Sequence, residues 1–129
     1  MFNLGQKSIL IVDDSTIMRM VLVMNLRRLL GVSITEAVNG LDALKKLSNG
    51  TFDLVLTDMN MPEMDGAGLI RHIRTQLKSD VPIVIITTKG ESKDRDLGMT
   101  LGANGYLTKP VDMKALIRTV LKFVGGRKF

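Results

Sequence analysis

The stretch Ser8-Ile9-Leu10-Ile11-Val12-Asp13-Asp14-Ser15 is a continuous apolar run that stops abruptly at two carboxylates. Hydrophobicity that is continuous over strand length, rather than alternating, marks a strand buried on both faces, as in a parallel sheet covered by helices. The pattern recurs at Phe52 to Thr57, which stops at Asp58, and at Ile83 to Thr87. Two more β-branched runs, Ser33 to Ala37 and Gly105 to Thr108, complete five candidate strands. Helical spacing fills the intervals, approximately Ser15 to Leu30, Leu41 to Asn49, Ala67 to Leu77, Lys93 to Leu101 and Asp112 to Val124. Asp14 or Ser15 can cap the first helix, Gly31 follows it, and Asn39-Gly40 and Asn49-Gly50 punctuate the next connections. Alternating strands and helices with short connections imply right-handed crossovers and an open, doubly wound α/β sheet of five parallel strands with helices on both faces.

The 129 residues fit one domain of ordinary size. Composition is that of a globular protein, with 45% hydrophobic and 24% charged residues. No run approaches the ~18 apolar residues of a membrane span, and the start of the chain lacks the pattern of a signal peptide. A cytoplasmic location without membrane insertion is therefore expected. With no cysteine, thiol catalysis, disulfide scaffolds and zinc ribbons are excluded, and the lone His72, expected to be a solvated residue of the third helix, argues against a Ser/His/Asp triad. Chemistry must come from carboxylates, hydroxyls and lysines. The net charge of +5 is spread over several helices with few aromatics between, which argues against direct nucleic-acid binding.

In an open sheet of this kind ligands bind beyond the carboxyl ends of the strands. There the sequence places Asp13-Asp14, Asp58, Thr87-Thr88 and Lys109-Pro110. Asp13-Asp14 alone reads as a helix cap with a solvated neighbour. Asp58, on an independent strand end, turns the reading toward a site, because clustered carboxylates repel unless a cation sits among them. Oxygen ligands without His or Cys suit a hard divalent ion, Mg²⁺ or Mn²⁺ in its place. A carboxylate nucleophile, a hydroxyl donor and a lysine beside such an ion are the parts of an acyl-phosphate site.

The residues Ile9 to Ser15, Leu54 to Gly66 (LVLTDMNMPEMDG), Ile85 to Thr87 and Gly102 to Pro110 (GANGYLTKP) make the chain resemble the receiver domains of two-component response regulators, of the single-domain chemotaxis type. The resemblance spans residues 7 to 124, leaving 125–129 as a frayed tail on a single receiver domain, residues 1–129. It implies a flavodoxin-like (βα)5 fold with strand order 2-1-3-4-5. It also implies Asp58 as phosphoacceptor, Asp14 as a direct Mg²⁺ ligand, Asp13 as an acidic neighbour acting mainly through water, and Asn60 as a backbone-carbonyl ligand. Lys109, before a cis Pro110, would contact the phosphoryl group; Thr87 would move toward it and Tyr106 would turn inward behind it. The donor would be a sensor histidine kinase. The protein would act as a switch rather than an enzyme, beyond its own phosphorylation and slow dephosphorylation. Its output would be contacts of the fourth helix, fifth strand and fifth helix with a downstream protein or a second copy in a homodimer.

On the last helix Lys114, Arg118 and Lys122 form a basic stripe assigned to that output face, opposite the core residues Met113, Leu116, Ile117, Val120, Leu121 and Val124. On the first helix Met18, Leu22 and Leu29, with Val21 and Leu26, read as the core face. That leaves Met20, Val23 and Met24 outside as a docking patch for a kinase or other partner. Thr88 departs from the small residue usual in the family, and Lys89 and Asn60 stand where they would influence phosphoryl lifetime. Two alternatives accompany this reading. One is a receiver belonging to a longer transcriptional regulator or hybrid kinase. The other is a Mg²⁺-dependent phosphohydrolase, against which stands Asn60, where that chemistry needs a second acid.

Overall fold

The computed structural model describes residues 2–88, 90–125 and 127–128. Lys89, one of the positions expected to influence phosphoryl lifetime, lies outside them. The order is β1 (Phe2–Val12), α1 (Thr16–Leu26), β2 (Leu30–Ala37), α2 (Gly40–Ser48), β3 (Leu54–Asp58), α3 (Gly66–Thr75), β4 (Ile83–Thr88), α4 (Ser92–Leu101), β5 (Gly105–Lys109), α5 (Met113–Val124) and β6 (Arg127–Lys128). The five principal strands are parallel in the order β2-β1-β3-β4-β5, as expected. No helix among the described residues is long and apolar enough to cross a membrane.

Strand periodicity explains why the central runs are apolar throughout. Ile9 and Ile11 of β1, Leu54 and Leu56 of β3, and Val84 and Ile86 of β4 point to one face, where Leu22 and Leu26 of α1 and Leu116, Val120 and Val124 of α5 cover them. Leu10, Val12, Val55, Ile83 and Ile85 point to the other, packed on Ala43, Leu69, Ile70 and Ile73. Four helices start at side-chain caps: Ser15, Asn39, Asp65 and Asp112 accept hydrogen bonds from the backbone N–H of Met18, Asp42, Gly68 and Lys114. Arg74 at the end of α3 donates to the carbonyls of Gly102 and Ser79 and to Asn104 Oδ1, which also accepts from Ile83 N–H. The buckle ties α3 to the start of β4 and the turn before β5.

The first unit departs from expectation. β1 begins at Phe2, interrupted by left-handed backbone at Gly5 and Gln6, and pairs Asn3 with Leu30. Leu30 is thereby drawn into β2, and α1 ends at Leu26 rather than Leu30. In its last turn Asn25 Nδ2 donates to the Val21 carbonyl. The tail expected to fray instead supplies β6, whose Arg127 and Lys128 pair antiparallel with Asn3 and Phe2.

Gly66 packs its backbone directly behind the end of β3. A Cβ there would lie 2.5 Å from the Asp58 carbonyl oxygen and 2.7 Å from Met59 Cα, neither of which can rotate away. Gly66→Ala should therefore destabilise the fold by about 1–3 kcal/mol. Gly50→Ala, whose Cβ would meet nothing closer than the Lys46 carbonyl at 4.0 Å, should stay within about 0.5 kcal/mol of the parent. Urea denaturation midpoints check both.

Candidate functional site

The carboxyl ends of β1, β3 and β5 bring Asp13, Asp14, Asp58 and Lys109 together. One carboxylate oxygen from each aspartate lies within 4.8 Å of the other two. Asp13 and Asp58 are buried, at 1% and 6% exposure, while Asp14 faces solvent. At an effective dielectric of ~20, two unit charges 4.8 Å apart repel by about 3 kcal/mol, so the cluster needs opposing positive charge. Lys109 Nζ supplies part of it, 3.5 Å from Asp58 Oδ2 and 3.7 Å from Asp13 Oδ2. The peptide bond from Lys109 to Pro110 is cis, as the resemblance implied.

Local bonding fixes each acid. Ser15 N–H donates to Asp13 Oδ1 at 2.8 Å, and Arg19 Nη1 donates to the Asp13 carbonyl at 2.7 Å. Asp13 Oδ2 is buried with no hydrogen-bond partner. Thr57 Oγ1 donates to the Asp58 carbonyl, and Asn60 N–H approaches Asp58 Oδ1 at 3.5 Å. Burial is the largest influence on Asp58 and pushes its carboxyl above the ordinary aspartate range; Lys109 opposes the shift, Asp13 adds to it, and the Asn60 and Met59 N–H groups oppose it. A buried carboxylate whose Oδ2 has an ion pair but no hydrogen bond, beside two further aspartates, suits a hard divalent cation.

Thr87 is buried at the end of β4, in register with Thr108 of β5. Both border a small cleft of about 180 Å³, shared with the exposed Thr88 and with Arg95. Tyr106 is turned outward at 46% exposure, with the Arg95 guanidinium 5.2 Å from its ring centroid. Asn60 is exposed and donates both amide protons to α4 and the residue before it, to Asp94 Oδ2 at 2.8 Å and to Glu91 Oε2 at 3.2 Å. The Glu91 carboxyl is pushed above its ordinary range, chiefly by the Asp94 carboxyl beside it.

Several expectations are corrected. Lys114 and Arg118 border a groove between α1 and α5 together with Arg28, so this part of the basic stripe leans toward α1. On α1 the rotation differs: Val23 packs against the core, while Val21 is exposed. The outward face is Ile17, Met20, Val21 and Met24. His72, expected in solvent, is half-buried. Arg19, Glu91, Asp94 and Arg95 were not anticipated. Glu91 and Asp94 had a legible signal, two acids three residues apart just past a strand end that carries a site residue; Arg95 had none.

A family model described as the response regulator receiver domain matches residues 9–121. The chain is 37% identical over 128 residues to the probable transcriptional regulator ycf27 of Cyanidium caldarium, covering 97% of this chain and 50% of that protein. It is 36% identical over 110 residues to chemotaxis protein CheY1 of Helicobacter pylori, covering 84% of this chain and 89% of that one. The receiver domain of sensor histidine kinase PA1611 from Pseudomonas aeruginosa superposes with a TM-score of 0.83 at 30% identity, over 92% of this chain and 98% of that one; its structure holds a magnesium ion in the active-site cleft. The chain thus spans about half the length of the ycf27 proteins it matches.

Because Asp58 ionises less readily in the folded chain than in the unfolded one, the folded state keeps this proton to higher pH. Stability is then lost as pH rises from the ordinary aspartate range through the raised one. In EDTA, Asp58→Asn should therefore be more stable than the parent at neutral pH, and the gap should close on acidification through that range. Thermal midpoints across pH check it.

Proposed function

The chain belongs to the response regulator receiver family, and on that footing we propose that it is a phosphorylation switch whose phosphoacceptor is Asp58. The observation that carries this reading is the buried Asp13–Asp58 pair bridged by Lys109, with Asp14 completing a cluster of oxygens suited to Mg²⁺. Asp13, Asp14 and Asp58, with the Asn60 carbonyl, would hold the cation. Its chemistry there is neutralisation of charge on the phosphoryl oxygens. An Asp58 oxygen forms the new O–P bond in line as the P–N bond to a donor phosphohistidine breaks, the electron pair leaving with the imidazole nitrogen. Lys109 balances the arriving charge and Thr87 offers its hydroxyl to a phosphoryl oxygen. The result adds about −1.5 to −2 charge beside β4 and β5. Beyond its own phosphorylation and slow dephosphorylation the protein performs no turnover, and it works in the cytoplasm through protein contacts.

The donor is a sensor histidine kinase, and α1 is the surface that receives it. Ile17, Met20, Val21 and Met24 lie at i, i+3, i+4 and i+7 and point outward, Ile17 at 75% and Met24 at 68% exposure. A helix apolar on its solvent side is one awaiting a covering partner. The helix that carries this stripe is capped by Ser15, whose N–H donates to Asp13. Tyr106, drawn inward by Thr87, relays the change to the face of α4, β5 and α5, where a downstream protein or a second copy binds. A second reading, favoured by a chain half as long as the ycf27 transcriptional regulators, is that the switch controls an attached output domain.

Tyr106 is the sole tyrosine and there is no tryptophan, so intrinsic emission reports that ring alone. Adding Mg²⁺ with beryllofluoride should change the emission saturably at one site, and Asp58→Asn should abolish the response; a parent that does not respond would refute the reading. Separately, Met20→Lys with Met24→Lys should slow transfer from a cognate kinase at least about tenfold while acetyl phosphate labels the variant at the parental rate. Equal kinase transfer would remove α1 from the interface.

A further inference from the structure

The mouth of the site carries more negative charge than the three aspartates supply. Glu91, just before α4, and Asp94, in its first turn, both accept from Asn60 Nδ2, two residues beyond Asp58. The three residues line one cleft of about 470 Å³ with Gly90, Ser92 and Lys93. Both amide protons of Asn60 are spent on these carboxylates, so its side chain has no N–H left for an incoming phosphoryl oxygen and presents only an acceptor. Among the described residues no lysine or arginine forms an ion pair with Glu91 or Asp94, and Lys109 is engaged by Asp13 and Asp58.

We propose that Glu91 and Asp94 are specificity-determining residues that disfavour small, highly charged phosphodonors at Asp58. This rests on the reading of Asp58 as phosphoacceptor and deepens it. A free dianionic acyl phosphate must bring its whole charge past two carboxylates that, among the described residues, form no ion pair, although Lys93 shares their cleft. A phosphohistidine presented by a protein arrives with a surface that can supply compensating cations. The rim thereby insulates the site from small metabolic donors and leaves it to a macromolecular one. Acyl phosphates react by the same displacement: an Asp58 oxygen bonds to phosphorus as the O–P bond to the carboxylate breaks, and acetate leaves with the electron pair.

The test uses the full chain at saturating Mg²⁺, with acetyl phosphate and the less negatively charged phosphoramidate as donors. Glu91→Gln with Asp94→Asn keeps oxygen acceptors for Asn60 while removing the charge. This variant should be phosphorylated by acetyl phosphate at least about threefold faster than the parent at low ionic strength. The advantage should be smaller with phosphoramidate and should fade as ionic strength approaches ~1 M, where the screening length falls to ~3 Å. Parental rates at low salt would overturn the proposal, as would an acceleration indifferent to salt and donor charge, which would mark the pair as merely positioning α4. If neither parent nor variant accepts a phosphoryl group from either donor, the phosphoacceptor reading itself fails and the proposal falls with it.

Discussion

Two carboxylates sunk at the ends of the central strands, with one ammonium between them, set the terms on which this molecule folds. Asp13 and Asp58 are nearly sealed from solvent, and Asp13 Oδ2 has no hydrogen bond. Burying such a pair costs stability, and the packing beneath it offsets that cost. The continuous apolar runs of β1, β3 and β4 bury both faces of the sheet, so the cost is carried by two hydrophobic layers rather than one. Parallel strands make the concentration of charge unavoidable, since every strand delivers its carboxyl end to the same edge. Lys109, delivered by β5 to that edge, supplies part of the compensation and leaves a deficit of positive charge between the two acids.

How much of this could be read from the chain depends on the range of the physics involved. The runs from Ile9 to Val12 and from Leu54 to Thr57 announce doubly buried strands because burial on both faces is a local property of composition. The carboxylates that end them announce a site because a strand end is a local landmark. By contrast, the truncation of α1 follows from Asn3 pairing with Leu30, a partner 27 positions away, and no helical propensity near Leu26 records it. The rotation of α1 was illegible for a related reason. With Ile17, Met18, Met20, Val21, Leu22, Val23, Met24 and Leu26 apolar, the helix has no polar side by which to orient it, and only packing settles that Val23 goes in and Val21 out. The links from Asn60 to Glu91 and Asp94, and from Arg95 to Tyr106, join elements by contacts that leave no periodic trace.

The surface that results is segregated. Around the mouth of the site stand Asp14, Glu91 and Asp94, while Arg28, Lys114 and Arg118 rim the groove between α1 and α5. The acidic edge keeps cations of its own, Lys109 between Asp13 and Asp58 and Lys93 in the cleft of Glu91 and Asp94. Between these regions the outer face of α1 is neither acidic nor basic. A partner that reached Asp58 along this helix would meet apolar contact before charge, whereas a free anion would meet charge first.

The pairing of β6 with the first residues of β1 bears on how such a unit can be reused. Both ends of the described chain lie side by side at the amino edge of the sheet, roughly 30 Å of strand away from Asp13. A sequence joined at either end would depart from the pole opposite the chemistry, and the two junctions would be neighbours. The domain is consequently portable: it can be appended, inserted between other segments or rejoined in a permuted order without any new segment crossing the acidic edge. That geometry accords with relatives as different as a chemotaxis protein matched over most of its length and a transcriptional regulator matched over half of it.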